Sequence, residues 1–325
     1  MPTIGRIQRR PRLSVSPFQT AIPLLGLLVG AFGLLSPHFL TLKTFGAIAN
    51  QIPGLTVISV GMTFVILVGS VDLSVGSVMA LCSVAMANAL VQWNLPVFLA
   101  VGVAVIVGTL GGAINGVIVT RWRVPSFIVT LAMMEVARGT AYLVSNTRTI
   151  YIGATMNWIS RPILGFVSVG FILALSFVIV GHLIVQHTVF GRSVVGVGTN
   201  ETAMRLSGIN TAGVTISVFS LVGFTAAIAA ILEIARLEAA DPNTGIGLEL
   251  RVIAAVVIGG TSFMGGRGNV FSTFFGVLIV AVLETGLAQL GISEPLKRIF
   301  TGAVIVVAVV HDIGRRRVVG VRPQL

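Results

Sequence analysis

Five long stretches of the 325-residue chain contain no Lys, Arg, Asp or Glu, namely 13–42, 44–71, 73–120, 162–191 and 206–232. Each stretch is longer than the roughly 20 apolar residues that a helix needs to cross a bilayer. Charged residues make up 10% of the chain, whereas a soluble domain carries about 25%. The sequence therefore predicts a protein that crosses a membrane several times, and it excludes an ordinary soluble fold.

The composition favours helices over a membrane β-barrel. The chain has 38 glycines and only 7% aromatic residues, which suits close contacts between helices in lipid, and it lacks the short alternating strands of a barrel. The predicted fold class is all-α, a polytopic bundle of about ten transmembrane helices, with eight as the alternative count. The predicted spans are 18–36, 45–69, 71–92, 96–119, 126–145, 163–186, 212–235, 250–262, 270–290 and 296–311.

The span at 250–262 is the weakest of the ten. Its apolar stretch ends in Gly259 and Gly260, so the sequence is compatible with a full crossing, half a helix or a re-entrant segment. Closely spaced glycines also predict close helix contacts at Gly26/Gly30, Gly108/Gly112 and Gly112/Gly116.

The distribution of basic residues predicts the orientation. With a cytoplasmic N-terminus, the inner segments hold thirteen Lys or Arg and the outer segments with their adjoining helix ends hold seven, as the positive-inside rule requires. Both chain ends are basic, so both belong on the cytoplasmic side and the number of spans is even. The predicted organisation is a basic tail over 1–17, a membrane domain over 18–311, and a second basic tail over 312–325.

The sequence lacks the motifs of several enzyme classes. Neither lysine lies in a phosphate-binding loop, no Gly-x-Ser-x-Gly or Gly-x-Gly-x-x-Gly motif is complete, and the four histidines have no metal-ligand spacing. The single cysteine, Cys82, excludes an internal disulfide. The basic excess follows the connections rather than one face, which argues against nucleic-acid binding. We therefore expect no catalytic residue, metal or cofactor, and a protein that is not an enzyme.

The charged residues deep inside predicted spans include Asp72, Glu135, Arg138 and Glu284, and a charge at such a position needs a partner or a wet cavity. Asp72 follows glycine breaks, so it is interpreted either as a helix cap or as a residue lining a path. Glu135 and Arg138 are three residues apart on one helix face, which predicts a mutual ion pair. Glu284 has no partner nearby in the sequence and is expected to face a cavity or another chain.

The inner segment 187–211 predicts a short helix between spans six and seven. Asn200 is a good N-cap, Glu201 follows in the first turn, Arg205 lies near the end, and Gly208 suits the left-handed position after the helix. So short a helix is marginal by itself. Docking to a partner protein explains its presence, and an ordinary connecting helix remains the alternative.

Three segments together resemble the permease subunits of ATP-binding-cassette importers for monosaccharides, the ribose, xylose, arabinose and galactose permease family. Gly69–Ser77 resembles the family's Gly-Gly-Ile-Asp-Leu-Ser-Val-Gly-Ser, with Ser70 and Val71 as departures. The inner loop from Gly191 to Ile209 matches the family's pattern at ten positions. The block Glu249–Ser262 matches except that Arg251 replaces an Asp, and a later Asn-Asn-Gly is replaced by Glu284-Thr285-Gly286.

The resemblance implies the pore subunit of a sugar importer in a bacterial inner membrane. The implied partners are cytoplasmic ATP-binding subunits that bind the ATP, an extracytoplasmic solute-binding protein, a second permease copy of the same or a similar chain, membrane lipid and a small sugar. The residues expected to couple to the ATPase are Gly191, Arg192, Gly198, Asn200, Ala203, Arg205, Ser207 and Gly208. The residues expected along the translocation path are Asp72, Ser74, Asn115, Glu249, Thr261, Ser262 and Glu284.

Two other functions remain open at this point. An importer of this kind is also compatible with another small polar solute, such as a nucleoside or a branched-chain amino acid. A secondary transporter would instead use Asp72, Glu135 or Glu284 to bind a proton or sodium ion near the membrane midplane.

Overall fold

The structure is a computed structural model that describes residues 18–163, 167–303 and 306. Its described part is almost entirely helical, which confirms the all-α prediction. Both basic tails and the end of the tenth predicted span lie outside the described residues. The α-helices are α1 Phe18–Leu35, α2 Leu42–Gln51, α3 Pro53–Leu67, α4 Val75–Val91, α5 Val97–Trp122, α6 Ser126–Ser145, α7 Val169–His187, α8 Val189–Leu206, α9 Thr211–Leu237, α10 Leu248–Ile258 and α11 Val270–Gln289.

Three smaller elements complete the described chain. A 3-10 helix covers Gly153–Ile159, and the two-residue strands β1 (Ile150–Tyr151) and β2 (Ala239–Ala240) pair in antiparallel fashion. Residues 294–303 are again helical.

Short polar side chains fix the starts of five of the eleven α-helices named above. At five starts a hydroxyl or amide oxygen accepts a hydrogen bond from a backbone amide in the first turn, which satisfies a donor that the helix itself cannot. Because such donors have no water partner in lipid, these caps define where each helix begins. The capping residues are Thr41 for α2, Ser168 for α7, Thr188 for α8, Asn210 for α9 and Asn269 for α11.

Among the described residues, α5, α6, α7, α9 and α11 are each long and apolar enough to cross a membrane alone. The pair α2 and α3 forms one further span that is bent by 49° at the break before Pro53. The apolar helices α1 and α4 are shorter. These helices coincide with the predicted spans to within a few residues, except that α10 has only 11 residues.

The bundle has two distinct ends. At one end lie α8 and the two glycine-containing loops 68–74 and 259–269, which we call the α8 end. At the other end β1 follows α6 and β2 follows α9, and we call this the sheet end. The phenyl ring of Phe32 meets Gly286, and Ser36 hydrogen-bonds to Gln289, so α1 and α11 also finish at the sheet end.

The core is centred on α3, α4, α5 and α9. Helices α5 and α9 approach so closely that a Cβ at Gly112 would overlap the carbonyl oxygen of Phe219, and one at Gly108 would overlap that of Gly223. The predicted contacts at Gly108, Gly112 and Gly116 are therefore confirmed. A Cβ at Gly26 or Gly30 would meet no atom within 4 Å, so these two glycines make no close helix contact with any described residue.

Candidate functional site

Helix α4 begins inside the bundle rather than at its surface. The chain leaves α3 at the α8 end and returns through loop 68–74 until Ser74 meets Asn115, whose amide donates to the Ser74 hydroxyl at 3.0 Å. Asn115 lies seven residues before the end of α5, which places this contact about 10 Å inside the bundle at 1.5 Å per residue. Loop 68–74 is therefore a non-helical segment that enters the bundle from the α8 end and leads into α4.

Asp72 holds the end of this loop through hydrogen bonds. Its carboxylate accepts hydrogen bonds from the Ser74 amide at 2.8 Å and from the Ser74 hydroxyl at 2.6 Å. Asp72, Ser74 and Asn115 are all buried and line neither of the two large cavities described below. The structure thus joins three predicted path residues in one hydrogen-bonded network that holds the start of α4, which is close to the predicted capping role of Asp72.

A second non-helical segment, 241–247, enters the bundle from the sheet end. Arg138 of α6 donates hydrogen bonds from its guanidinium to the carbonyl oxygens of Pro242 and Thr244 in this segment. The predicted ion pair between Glu135 and Arg138 is wrong, because Arg138 turns inward to these carbonyls while Glu135 is exposed on the outer face of α6. Two backbone acceptors and the burial of the guanidinium explain the preference.

The start of α4 and segment 241–247 meet near the middle of the bundle. The backbones of Gly76 and Gly245 approach so closely that a Cβ on either would overlap the other's carbonyl group. The carboxylate of Glu249, in the first turn of α10, lies over Gly76. Helices α4 and α10 therefore both begin near mid-membrane, an arrangement found at the binding sites of secondary transporters.

Helix α10 is half a span. Its 11 residues extend about 16 Å, against a hydrocarbon core of about 30 Å. It runs antiparallel to α11, because Gly276 packs against Ala255 and Gly259 packs against Ser272. The weak span predicted at 250–262 is thus a half-helix, and the chain completes this crossing through segment 241–247.

The two departures from the family motifs contact each other. The Arg251 guanidinium lies 3.6 Å from the Glu284 carboxylate, and the Arg251 side chain is 37% exposed and that of Glu284 18%. They line a cavity of about 400 Å³, together with the end of α2, the start of α10 and residues 294–302. Glu284 was expected to face a cavity or another chain, and it lies in this one, which we call the charged cavity.

The charged cavity also contains residues that the sequence analysis did not single out. Lys297 pairs with Glu294 at 3.2 Å, and Arg298 lies beside them. The sequence did contain a signal for these residues. Two cations and one carboxylate lie at the start of the tenth predicted span, and charged residues are disfavoured where a helix faces lipid.

A larger cavity of about 1170 Å³ lies at the α8 end. It is lined by loop 68–74, the connection between α5 and α6, and the end of α8 with the start of α9. Ile253 of α10 contributes to this cavity, whereas Leu250 and Arg251 contribute to the charged cavity. The half-helix α10 therefore lies between the two cavities.

Helix α8 has two parts with different environments. The backbone of Asn200 is non-helical, and its side chain accepts a hydrogen bond from the Ala203 amide at 2.9 Å, which confirms the predicted N-cap. Gly208 adopts the predicted left-handed conformation with φ of +83°. The short helix after Asn200 is mostly exposed, and the exposed residues include Ala203, Arg205 and Ser207.

The first part of α8 packs against the body of the protein. A Cβ at Gly198 would overlap the carbonyl oxygen of Leu67, and Gly191 lies equally close to the carbonyls at the end of α7. The Gly266 amide donates to the same Leu67 carbonyl at 2.9 Å. The two glycine-rich loops therefore meet beneath α8, and Gly191 and Gly198 serve this packing, whereas Arg192 is exposed.

Loop 259–269 holds the remaining predicted path residues. Thr261 and Ser262 are buried, and the amide of Ser262 donates to the carbonyl of Arg267 at 2.8 Å. Gly268 packs directly on the Thr261 side chain. Neither residue lines one of the two large cavities.

Comparison with known proteins identifies relatives over nearly the whole chain. Residues 44–309 match the family described as branched-chain amino acid transport system / permease component. The ribose import permease protein RbsC of Escherichia coli K12 is 40% identical over 301 residues, which cover 90% of this chain and 93% of that protein. No solved structure gives a significant match.

Two further relatives are named as permeases for other sugars. The L-arabinose ABC transporter permease protein AraH of Azospirillum brasilense is 35% identical, with 89% of this chain and 85% of that protein covered. The fructose import permease protein FrcC of Rhizobium meliloti is 33% identical, with 92% and 86% covered. This chain therefore belongs to the family of membrane permease subunits of ATP-binding-cassette importers.

Proposed function

We propose that this chain forms the translocation path of a monosaccharide importer, for ribose or a related sugar, in the inner membrane of a bacterium. The named relatives are permeases for ribose, L-arabinose and fructose, which supports a sugar over a nucleoside or a branched-chain amino acid. The chain has no phosphate-binding loop. Separate ATPase subunits therefore supply the energy, and this chain acts as a non-enzymatic subunit.

The α8 end faces the cytoplasm in this proposal. The sequence supports it, because the α8 end, together with the two tails, carries thirteen of the basic residues. The sheet end then faces outward, where an extracytoplasmic solute-binding protein would deliver the sugar.

The exposed short helix of α8 is the observation that carries the proposed coupling. Ala203, Arg205 and Ser207 are exposed, Leu206 is 84% exposed, and no described residue of the body covers them. Met204 is the residue of this short capped helix that packs against the core, so the helix gains little stability from its own chain. We assign it to the groove of an ATPase subunit, which moves it when ATP binds.

A second permease copy completes the path. Glu135 lies near the middle of α6 and is exposed. A charged side chain at mid-helix costs about 2.5–3.5 kcal/mol when it faces lipid. We therefore place the Glu135 face of α6 against the second copy and the aqueous path between the two.

The coupling is tested with Ala203→Trp in proteoliposomes that contain the permease, its ATPase subunit and its sugar-loaded binding protein. The indole would occupy the docking surface, so we expect uptake and binding-protein-stimulated ATP hydrolysis to fall at least about tenfold, which corresponds to about 1.4 kcal/mol of lost docking energy. Val180→Trp is the matched control, since Val180 is exposed on the apolar outer face of α7, between the two ends of the bundle.

Two results would contradict the proposal. Wild-type uptake by Ala203→Trp would remove the docking role of the short helix. If uptake by the wild-type protein needed an ion gradient but no ATP, the protein would instead be a secondary transporter. Gly198 is unsuitable for this test, because a larger residue there would disturb the packing on Leu67 whether or not a partner binds.

A further inference from the structure

The charged cavity has the size and the position of a solute site. Its volume of about 400 Å³ falls within the range of about 300–1,000 Å³ that small-molecule sites occupy. It lies where the chain is interrupted, between the break after Gln51 in the bent span and the start of the half-helix α10. Helix breaks at membrane depth are tolerated beside protein or water, and they supply polar groups for a solute.

Positive charge exceeds negative charge in this cavity. Its lining includes the cations Arg251, Lys297 and Arg298 and the carboxylates Glu284 and Glu294. Two ion pairs, Arg251 with Glu284 and Lys297 with Glu294, account for four of these charges. No described residue forms an ion pair with Arg298, which is exposed at the edge of the cavity, so within the described part of the chain its guanidinium is open to an added anion.

The start of α10 adds to this excess. Ile246 and Gly247, which precede the helix, line the cavity, and no side chain caps the helix there. The N-terminal end of a helix carries about half a positive charge and attracts carboxylates and phosphates. Glu249, the acidic residue of the first turn, lies over Gly76 and does not line the cavity.

We propose that the charged cavity binds the carboxylate of an acidic monosaccharide, an aldonate or a uronate, as it passes through the permease. Arg298 and the start of α10 hold the carboxylate, while the Arg251 and Glu284 pair offers donors and acceptors to the hydroxyl groups. This inference rests on the proposed function and narrows the sugar to a class that the named relatives do not specify.

The experiment measures thermal unfolding of the purified full chain in detergent with sodium D-gluconate. The controls are D-glucose, sodium acetate and sodium chloride at the same ionic strength. A ligand that binds only the folded state raises the midpoint of unfolding, and we expect gluconate near saturation to raise it by about 2–4 °C. We expect no comparable rise with glucose, acetate or chloride.

Three variants locate the effect. Arg298→Gln should abolish the rise with gluconate, and Arg298→Lys should retain part of it because the charge remains. Arg148→Gln, at an exposed arginine of the sheet end outside the cavity, should retain all of it. If any variant unfolds in detergent, equilibrium binding of radiolabelled gluconate to the wild-type permease is measured instead. Competition by acetate and by glucose then compares the carboxylate alone and the neutral sugar with gluconate.

The proposal is overturned if gluconate gives no rise in the wild type, if acetate gives the same rise, or if Arg298→Gln leaves the rise intact. None of these results changes the dependence of uptake on the ATPase subunit and on Ala203. Failure of this inference is therefore distinguishable from failure of the proposed function.

Discussion

At the scale of single residues, glycine at one helix crossing determines how closely the bundle packs. Gly112 of α5 faces the carbonyl of Phe219 on α9, and Gly223 of α9 faces Gly108 in return. In lipid, van der Waals contact replaces much of the hydrophobic driving force between helices. A side chain at this crossing would therefore separate α5 from α9 along its length.

The prediction at this scale concerns Gly112→Val. We expect it to lower the free energy of unfolding by about 1–3 kcal/mol, as overpacking does in closely packed cores. The measurement is thermal unfolding in detergent. Gly102→Val is the matched control on the same helix, because a Cβ at Gly102 meets no atom within 4 Å. Equal unfolding temperatures for the two variants would contradict the role of the crossing.

At the scale of elements, side chains of α6 hold the non-helical segment 241–247, and Arg138 makes the contacts with its backbone. Arg138 donates to the carbonyls of Pro242 and Thr244, and Tyr142 of the same helix donates to Asn243 at 2.9 Å. A backbone segment inside a membrane bundle has no water to satisfy its carbonyls. Arg138 is therefore a positioning residue for the start of α10.

We predict that Arg138→Met releases this segment. The methionine keeps an unbranched apolar stem but removes the guanidinium and its hydrogen bonds, so amide hydrogen exchange in 241–247 should increase at least about tenfold, which corresponds to the loss of about 1.4 kcal/mol of local stability. The measurement is hydrogen exchange by mass spectrometry, with exchange in α9 as the internal reference. Arg148→Met, at an exposed arginine near the sheet, should leave this segment protected.

The sequence predicted regular helices better than their interruptions. The positions of charges and of Pro/Gly breaks predicted the membrane helices, because the cost of charge in lipid is visible locally. The capping of the short helix by Asn200 was also predictable, because a cap acts over three residues. The contact of Arg138 with Pro242, and that of Arg251 with Glu284, join distant parts of the chain. No local spacing encodes such contacts, so the nearer Glu135 was wrongly taken as the partner of Arg138.

At the scale of the whole molecule, the outer faces of the helices differ in polarity. The exposed residues of α5 between Phe98 and Val117 carry no charge, and those of α7 between Ile172 and Leu183 are apolar apart from one serine. These faces suit lipid. The exposed face of α6 instead carries Glu135 at its middle, and Gly139 one turn further along leaves room for a neighbouring backbone.

The charged and open face of α6 is therefore predicted to form the contact between two copies. Gly139→Cys should form a disulfide-linked dimer on mild oxidation in native membranes, because small residues at a helix contact bring the same position of each copy close together. The single native cysteine, Cys82, is buried and does not interfere. Gly26→Cys is the matched control, since Gly26 is equally open on α1. Electrophoresis without reducing agent measures both variants. A dimer from Gly26→Cys but none from Gly139→Cys would contradict this prediction, because the two copies would then meet at α1. The Glu135 carboxylate would in that case not lie beside an aqueous path between the two copies.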